Sequence, residues 1–144
     1  MCDSAELAAT APGGGPWDPN SNPNSNPPDS NPDPFCQFET VAGPIDDTAG
    51  VTSTVMNSFT ATWNETVTPP GATISGATLM SASAKWRLWV GDDDDGCNTP
   101  AGCRGQLACE IDPPLQATWL ESGGFTLMNL ASCTSVSVTL VCQP

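Results

Sequence analysis

The chain has no histidine and no tyrosine, and its 144 residues include only three basic side chains. Without histidine, the most frequent general base and the imidazole metal ligand are both missing. A single lysine and the lack of any Gly-x-Ser-x-Gly segment leave the usual nucleophile and base pairings without members. Three Lys and Arg against sixteen Asp and Glu give a formal charge of −13. Such a charge repels phosphate backbones and anionic lipid surfaces, which excludes nucleic acid as a partner. No apolar run approaches the length that spans a bilayer, and the first residues lack the basic start and apolar stretch of a signal peptide. These absences point to a non-enzymatic protein with no membrane span. Paired carboxylates for glycoside hydrolysis are the catalytic chemistry that the composition still permits.

Proline, by contrast, is abundant and unevenly placed. Eight of the fifteen prolines fall between residues 12 and 34, where Ser-Asn-Pro occurs at Ser21-Asn22-Pro23, Ser25-Asn26-Pro27 and Ser30-Asn31-Pro32. Proline lacks an amide donor and pushes its predecessor out of the α region, so this stretch predicts neither a helix nor an inner strand. Residues 1–34 therefore read as an extended Pro/Asn-rich arm, with at most a helical turn after Ser4 and with Trp17 as its large apolar anchor. Residues 35–144 read as one globular head, a length that allows a single modest core. On this division, removing residues 1–34 leaves a folded head that has lost its means of attachment.

The head carries the period of strands. Val51, Val55, Phe59, Ala61 and Trp63 alternate with threonines and serines, and Trp86, Leu88 and Val90 alternate with Lys85, Arg87 and Trp89. Weaker strands are expected over residues 73–79 and 116–120. Clearer ones are expected at Leu107, Cys109 and Ile111, stopped by Pro113-Pro114, over residues 125–130, and over residues 135–142 with Val136, Val138 and Leu140 on one face. Pro69-Pro70-Gly71 marks a turn, and residues 91–105 form the longest loop. Seven to eight short strands with almost no helical periodicity predict an all-β head, a small β-sandwich or jelly roll.

Seven cysteines with no histidine favour disulfides over a zinc site, because the spacings are not the paired C-x-x-C of zinc modules. Disulfides persist outside the cytosol, on secreted proteins, cell surfaces and particle surfaces. Cys133 and Cys142 are too far apart along one expected strand to bridge each other. Strand parity pairs Cys109 with Cys142, the loop pairs Cys97 with Cys103, and Cys36 is left for Cys133, although six cysteines alone allow fifteen arrangements. Cys2 is then the odd cysteine: reactive, bridged to another subunit, or lipidated. Met1-Cys2-Asp3-Ser4 ahead of a Gly-, Pro- and Asn-rich tether resembles a mature bacterial lipoprotein whose signal has been replaced by a start methionine. That resemblance implies a diacylglycerol anchor on Cys2.

Two further groups of residues suggest contacts. Asp92, Asp93, Asp94 and Asp95 between Gly91 and Gly96 offer hard oxygen ligands for a structural calcium ion, though the spacing is not that of an EF-hand. No other cofactor is implied. Trp89 lies on the polar parity of its strand beside Lys85 and Arg87, an aromatic flanked by cations that suits a partner-binding patch; its alternative is packing beneath a loop or the arm. Asn64-Glu65-Thr66 fits a glycosylation acceptor but is too short to decide anything. An acidic β-head with disulfides and an attachment arm suits a structural protein of a virus particle, such as a bacteriophage capsid decoration or cement protein. Its partners are then a protein lattice or neighbouring subunits, and a homo-oligomer is expected. The alternatives are a secreted or cell-surface lipoprotein or adhesin tethered by Cys2, and a carbohydrate-binding module using Trp89.

Overall fold

The computed structural model describes residues 1–17, 31–40, 47–67, 74–93 and 107–141. Eight strands form two four-stranded antiparallel sheets. The first sheet has the order β4-β1-β8-β7, from Thr60–Glu65, Cys2–Leu7, Cys133–Thr139 and Gly124–Leu130; the second has the order β3-β2-β5-β6, from Asp47–Val51, Pro34–Thr40, Trp86–Asp92 and Leu107–Ile111. The head is therefore an all-β sandwich, as its alternating residues lead one to expect. Ala5, Leu7, Ala61, Trp63, Val136 and Val138 from one sheet face Cys36, Phe38, Trp86, Leu88, Val90 and Ile111 from the other, and together they form the core. The outward parity of the first sheet carries Ser4, Thr60, Thr62, Thr126 and Ser137, and Thr126 and Ser137 share a hydroxyl contact of 2.9 Å.

The boundary expected at residue 34 does not hold, because β1 is an inner strand of the head. Ser4 and Glu6 pair with Thr62 and Thr60 on one side and with Ser137 and Ser135 on the other. Ala5-Glu6-Leu7-Ala8-Ala9 has good helix formers, but burying Cys2, Ala5 and Leu7 between two sheets outweighs a propensity worth a few tenths of a kcal/mol per residue. Removing residues 1–34 would thus take out a central strand. Trp17 is also part of the head. Its ring lies in the core and its Nε1 donates to the Ala8 carbonyl at 2.9 Å, so it is not an anchor for a foreign lattice.

Two expected strands are helices. α1, Gly76–Met80, begins where the Ser75 hydroxyl accepts the Thr78 amide, and α2, Ala117–Glu121, ends at Gly123 with φ of 74°. A serine cap and a left-handed glycine stop are local hydrogen-bond devices that apolar spacing does not reveal over so few residues. The long alternation from Val51 to Trp63 is also broken. Thr52 turns inward so that its hydroxyl accepts the Cys36 amide at 2.9 Å, and the chain rejoins a sheet only at Thr60.

Among the described residues the two sheets are bonded to each other twice, by Cys2–Cys36 between β1 and β2 and by Cys109–Cys133 between β6 and β8. This corrects the pairings of Cys36 with Cys133 and of Cys109 with Cys142, and it removes Cys2 as the odd cysteine. Cys97, Cys103 and Cys142, like Pro69-Pro70-Gly71, lie outside the described residues. The physical reason is a pair of bulges. The register shifts between Cys2 and Ser4 and again between Glu6 and Leu7, where Thr134 is the extra residue, so Cys2 and Cys133 both turn to the core side against simple alternation. On the second sheet Cys36 and Cys109 are the cross-strand neighbours of one residue, Val90. On the first sheet the two bonds lie near opposite ends of β1, so the strands of the two sheets cross instead of running alongside.

Closing loops of 34 and 24 residues, each bond stabilises the fold by about 3–4 kcal/mol on the chain-entropy account. Peptide mapping without reductant is expected to recover Cys2 linked to Cys36 and Cys109 linked to Cys133. The Cys2→Ala/Cys36→Ala protein should lose about 2–5 kcal/mol in urea unfolding. A Cys2 that alkylates freely in the native protein would contradict the assignment.

Candidate functional site

Residues 31–34, which end the Asn/Pro-rich stretch, are pinned to one pole of the sandwich. Asn31 Nδ2 donates to the Asn57 carbonyl at 3.3 Å, and the Pro32 and Pro34 carbonyls accept the Ser58 and Val55 amides at 2.7 and 3.0 Å. Proline can serve there because only its acceptor is used. Asp33 is the hub: its amide donates to Asp92 Oδ1 at 2.6 Å, its carbonyl accepts the Asp93 amide at 3.0 Å, and its Oδ1 accepts the Asn57 amide. Asn57 has φ of 54°, a left-handed conformation that Asn tolerates better than most residues. Thr54 Oγ1 completes the arrangement by donating to Asp93 Oδ2 at 3.0 Å.

This pole gathers three segments. The Leu7 amide donates to the Phe59 carbonyl at 2.8 Å, next to the Ser58–Pro32 bond. Trp17, bonded to Ala8, and Asn31 therefore flank the same backbone stretch, so residues 18–30 leave and return at one place. The acidic loop also starts here, after Asp93. Met56, 65% exposed, lies in the 54–58 turn. Both flanks of the Asn/Pro-rich segment are accordingly held on the sandwich, and Cys2–Cys36 spans it covalently.

Of the four aspartates read as calcium ligands, Asp92 is fully buried and Asp93 is partly buried, both engaged with backbone and hydroxyl donors as above; Asp94 and Asp95 lie outside the described residues. Among the described residues no group of three or more acidic or cysteine side chains is arranged to hold a metal ion.

The residues read as a contact patch form an internal arrangement on the outward parity of the second sheet. Glu39 faces Arg87 across the β2–β5 ladder, and Gln37 faces Trp89. The Glu39 carboxylate, 0% exposed, accepts from Gln37 Nε2 at 2.8 Å and Trp89 Nε1 at 2.9 Å through Oε1, and from Arg87 Nε at 2.7 Å and Nη2 through Oε2. A buried carboxylate is tolerated when each oxygen is bonded and a guanidinium neutralises it, which is the case here. Trp89 is 3% exposed and packs edge-on against Phe35 with centroids 5.0 Å apart. Its ring lies over Gly91, where an added Cβ would run into it and come within 3.1 Å of Phe35 Cζ. Arg87 and Trp89 thus serve the fold; Lys85 is exposed ahead of β5. Sequence reasoning missed Glu39, the residue that organises this group. Its signal was available: an acid on the outward parity of β2 in register with one of the chain's few cations.

Comparison with protein-family models, with curated proteins and with solved structures finds no match. The class that the fold defines is a disulfide-bonded β-sandwich.

Arg87→Met strands the Glu39 carboxylate and should cost about 3–5 kcal/mol in chemical denaturation, whereas Lys85→Met should change stability by less than about 0.5 kcal/mol. Gly91→Ala should cost about 1–3 kcal/mol and shift the Trp89 contribution to near-ultraviolet circular dichroism, because the ring must move to admit the methyl group.

Proposed function

We propose that this chain is a non-enzymatic structural protein on the exterior of a virus particle, a decoration or cement protein, attached through the pole where residues 18–30 leave and rejoin the sandwich. The observation that carries the reading is the Cys2–Cys36 bond, which closes that segment onto the head. A binding segment anchored at both ends loses less conformational freedom on docking than a free arm, so shallow contacts along it suffice. Two disulfides between the sheets suit a protein that functions in an oxidising exterior and must survive there with a small core. A charge of −13 keeps such a protein soluble and off nucleic acid.

The alternatives lose their supports. A lipoprotein anchor needs the sulfur of Cys2, which is buried and bonded to Cys36. A carbohydrate-binding role was based on Trp89, whose ring is covered and whose indole N–H is bonded to Glu39.

The test exchanges residues 18–30 for a Gly/Ser stretch of equal length, leaving β1, Trp17 and both disulfides in place. The variant should unfold at the same temperature as the parent within a few degrees, yet no longer co-sediment with particles of the virus whose genome encodes the chain. Undiminished co-sedimentation of the variant, or failure of the parent to bind those particles, would refute the proposal.

A further inference from the structure

Each sheet of a sandwich has two edge strands whose outward amides and carbonyls form a template for another strand. Here the edges are β3 and β6 in one sheet and β4 and β7 in the other. Three of them carry an acid: Asp47 in β3, Glu65 in β4 and Glu110 in β6, with Pro113-Pro114 just beyond β6. β7 differs. Its seven residues, Gly-Phe-Thr-Leu-Met-Asn-Leu, contain neither charge nor proline, and among the described residues it pairs with β8 alone. Thr126, Met128 and Asn129 are exposed along it, Met128 at 62%.

We propose that the outer edge of β7 docks a second copy of this chain, the two β7 strands pairing antiparallel across a twofold axis. Charge selects the occupant. Copies of a molecule of −13 repel each other, and antiparallel self-pairing at β4 or β6 would bring Glu65 or Glu110 near that of the other copy. At β7 no like charges meet. A basic partner strand would instead be drawn to the acidic edges. An axis near Leu127 sets Thr126 opposite the other copy's Met128, covering the exposed thioether, and joins the two four-stranded sheets into one of eight. This inference is independent of the particle reading and goes beyond it, since a dimer can form whether or not residues 18–30 bind a capsid.

The test is the mass of the full oxidised chain by sedimentation velocity and light scattering over a range of concentrations. The parent is expected at twice the 14.8 kDa of one chain. Thr126→Glu/Met128→Glu, which brings four carboxylates to the axis, should raise the dissociation constant roughly tenfold or more, whereas Thr60→Glu on the exposed face of β4 should leave it unchanged. Hydrogen exchange of the parent gives a second readout that needs no variant: β7 amides should gain protection as concentration rises. A parent that stays monomeric, a dimer that survives the paired glutamates, a dimer equally sensitive to Thr60→Glu, or β7 amides indifferent to concentration would overturn the proposal.

Discussion

Cys2 and Cys36 join an inner strand of one sheet to an inner strand of the other, and most of what distinguishes this molecule depends on that bond. The strands are five to seven residues long and the core is small, so burial alone leaves little margin against the conformational entropy of the chain. Sealing the sheets together at Cys2–Cys36 and Cys109–Cys133 restricts the unfolded state on both sides of Val90. The same covalent link adds to the strand pairing of β1 and to the bonds of Trp17 and Asn31 that hold both flanks of the proline-rich stretch on the domain.

Acidic side chains are handled in two ways. At the pole Asp33, Asp92 and Asp93 accept hydrogen bonds from backbone amides and a threonine hydroxyl, so the acids act as local staples between residues 31–34, β5 and the 54–58 turn. On the second sheet Glu39 is fully buried and takes hydrogen bonds from Gln37, Trp89 and Arg87. Arg87 is one of three cations in the chain, and its placement beside Glu39 shows a scarce charge committed to structure. Glu6, Glu110, Asp112 and Glu121 are exposed to solvent.

Strands β5, β6, β7 and β8 were legible because their apolar residues recur with period two and are bounded by proline or glycine. β1 was not, since Ala5-Glu6-Leu7-Ala8-Ala9 reads as helix until neighbouring strands are present on both sides. Residues 76–80 and 117–121 read as strands because one helical turn is too short to show its own period. For Trp89, parity left open a contact patch or packing beneath other chain; it is packed, and parity does not report that Phe35 lies beside it and Glu39 within reach. At the pole, the clustering of Asp92 and Asp93 was visible, but their partner Asp33 and the return of the chain through Asn57 were not.

What the amino-acid sequence determined by itself was the all-β class, a cysteine content suited to disulfides, the strongly negative charge and the proline-rich segment, because composition and short-range period report local backbone preference and net electrostatics. Which cysteines meet, that both flanks of the segment are tied down, and that Trp17 and Trp89 are buried were decided only in the folded chain. Those outcomes turn on two single-residue bulges, beside Cys2 and at Thr134, and on cross-strand register, which depend on contacts between residues far apart along the chain.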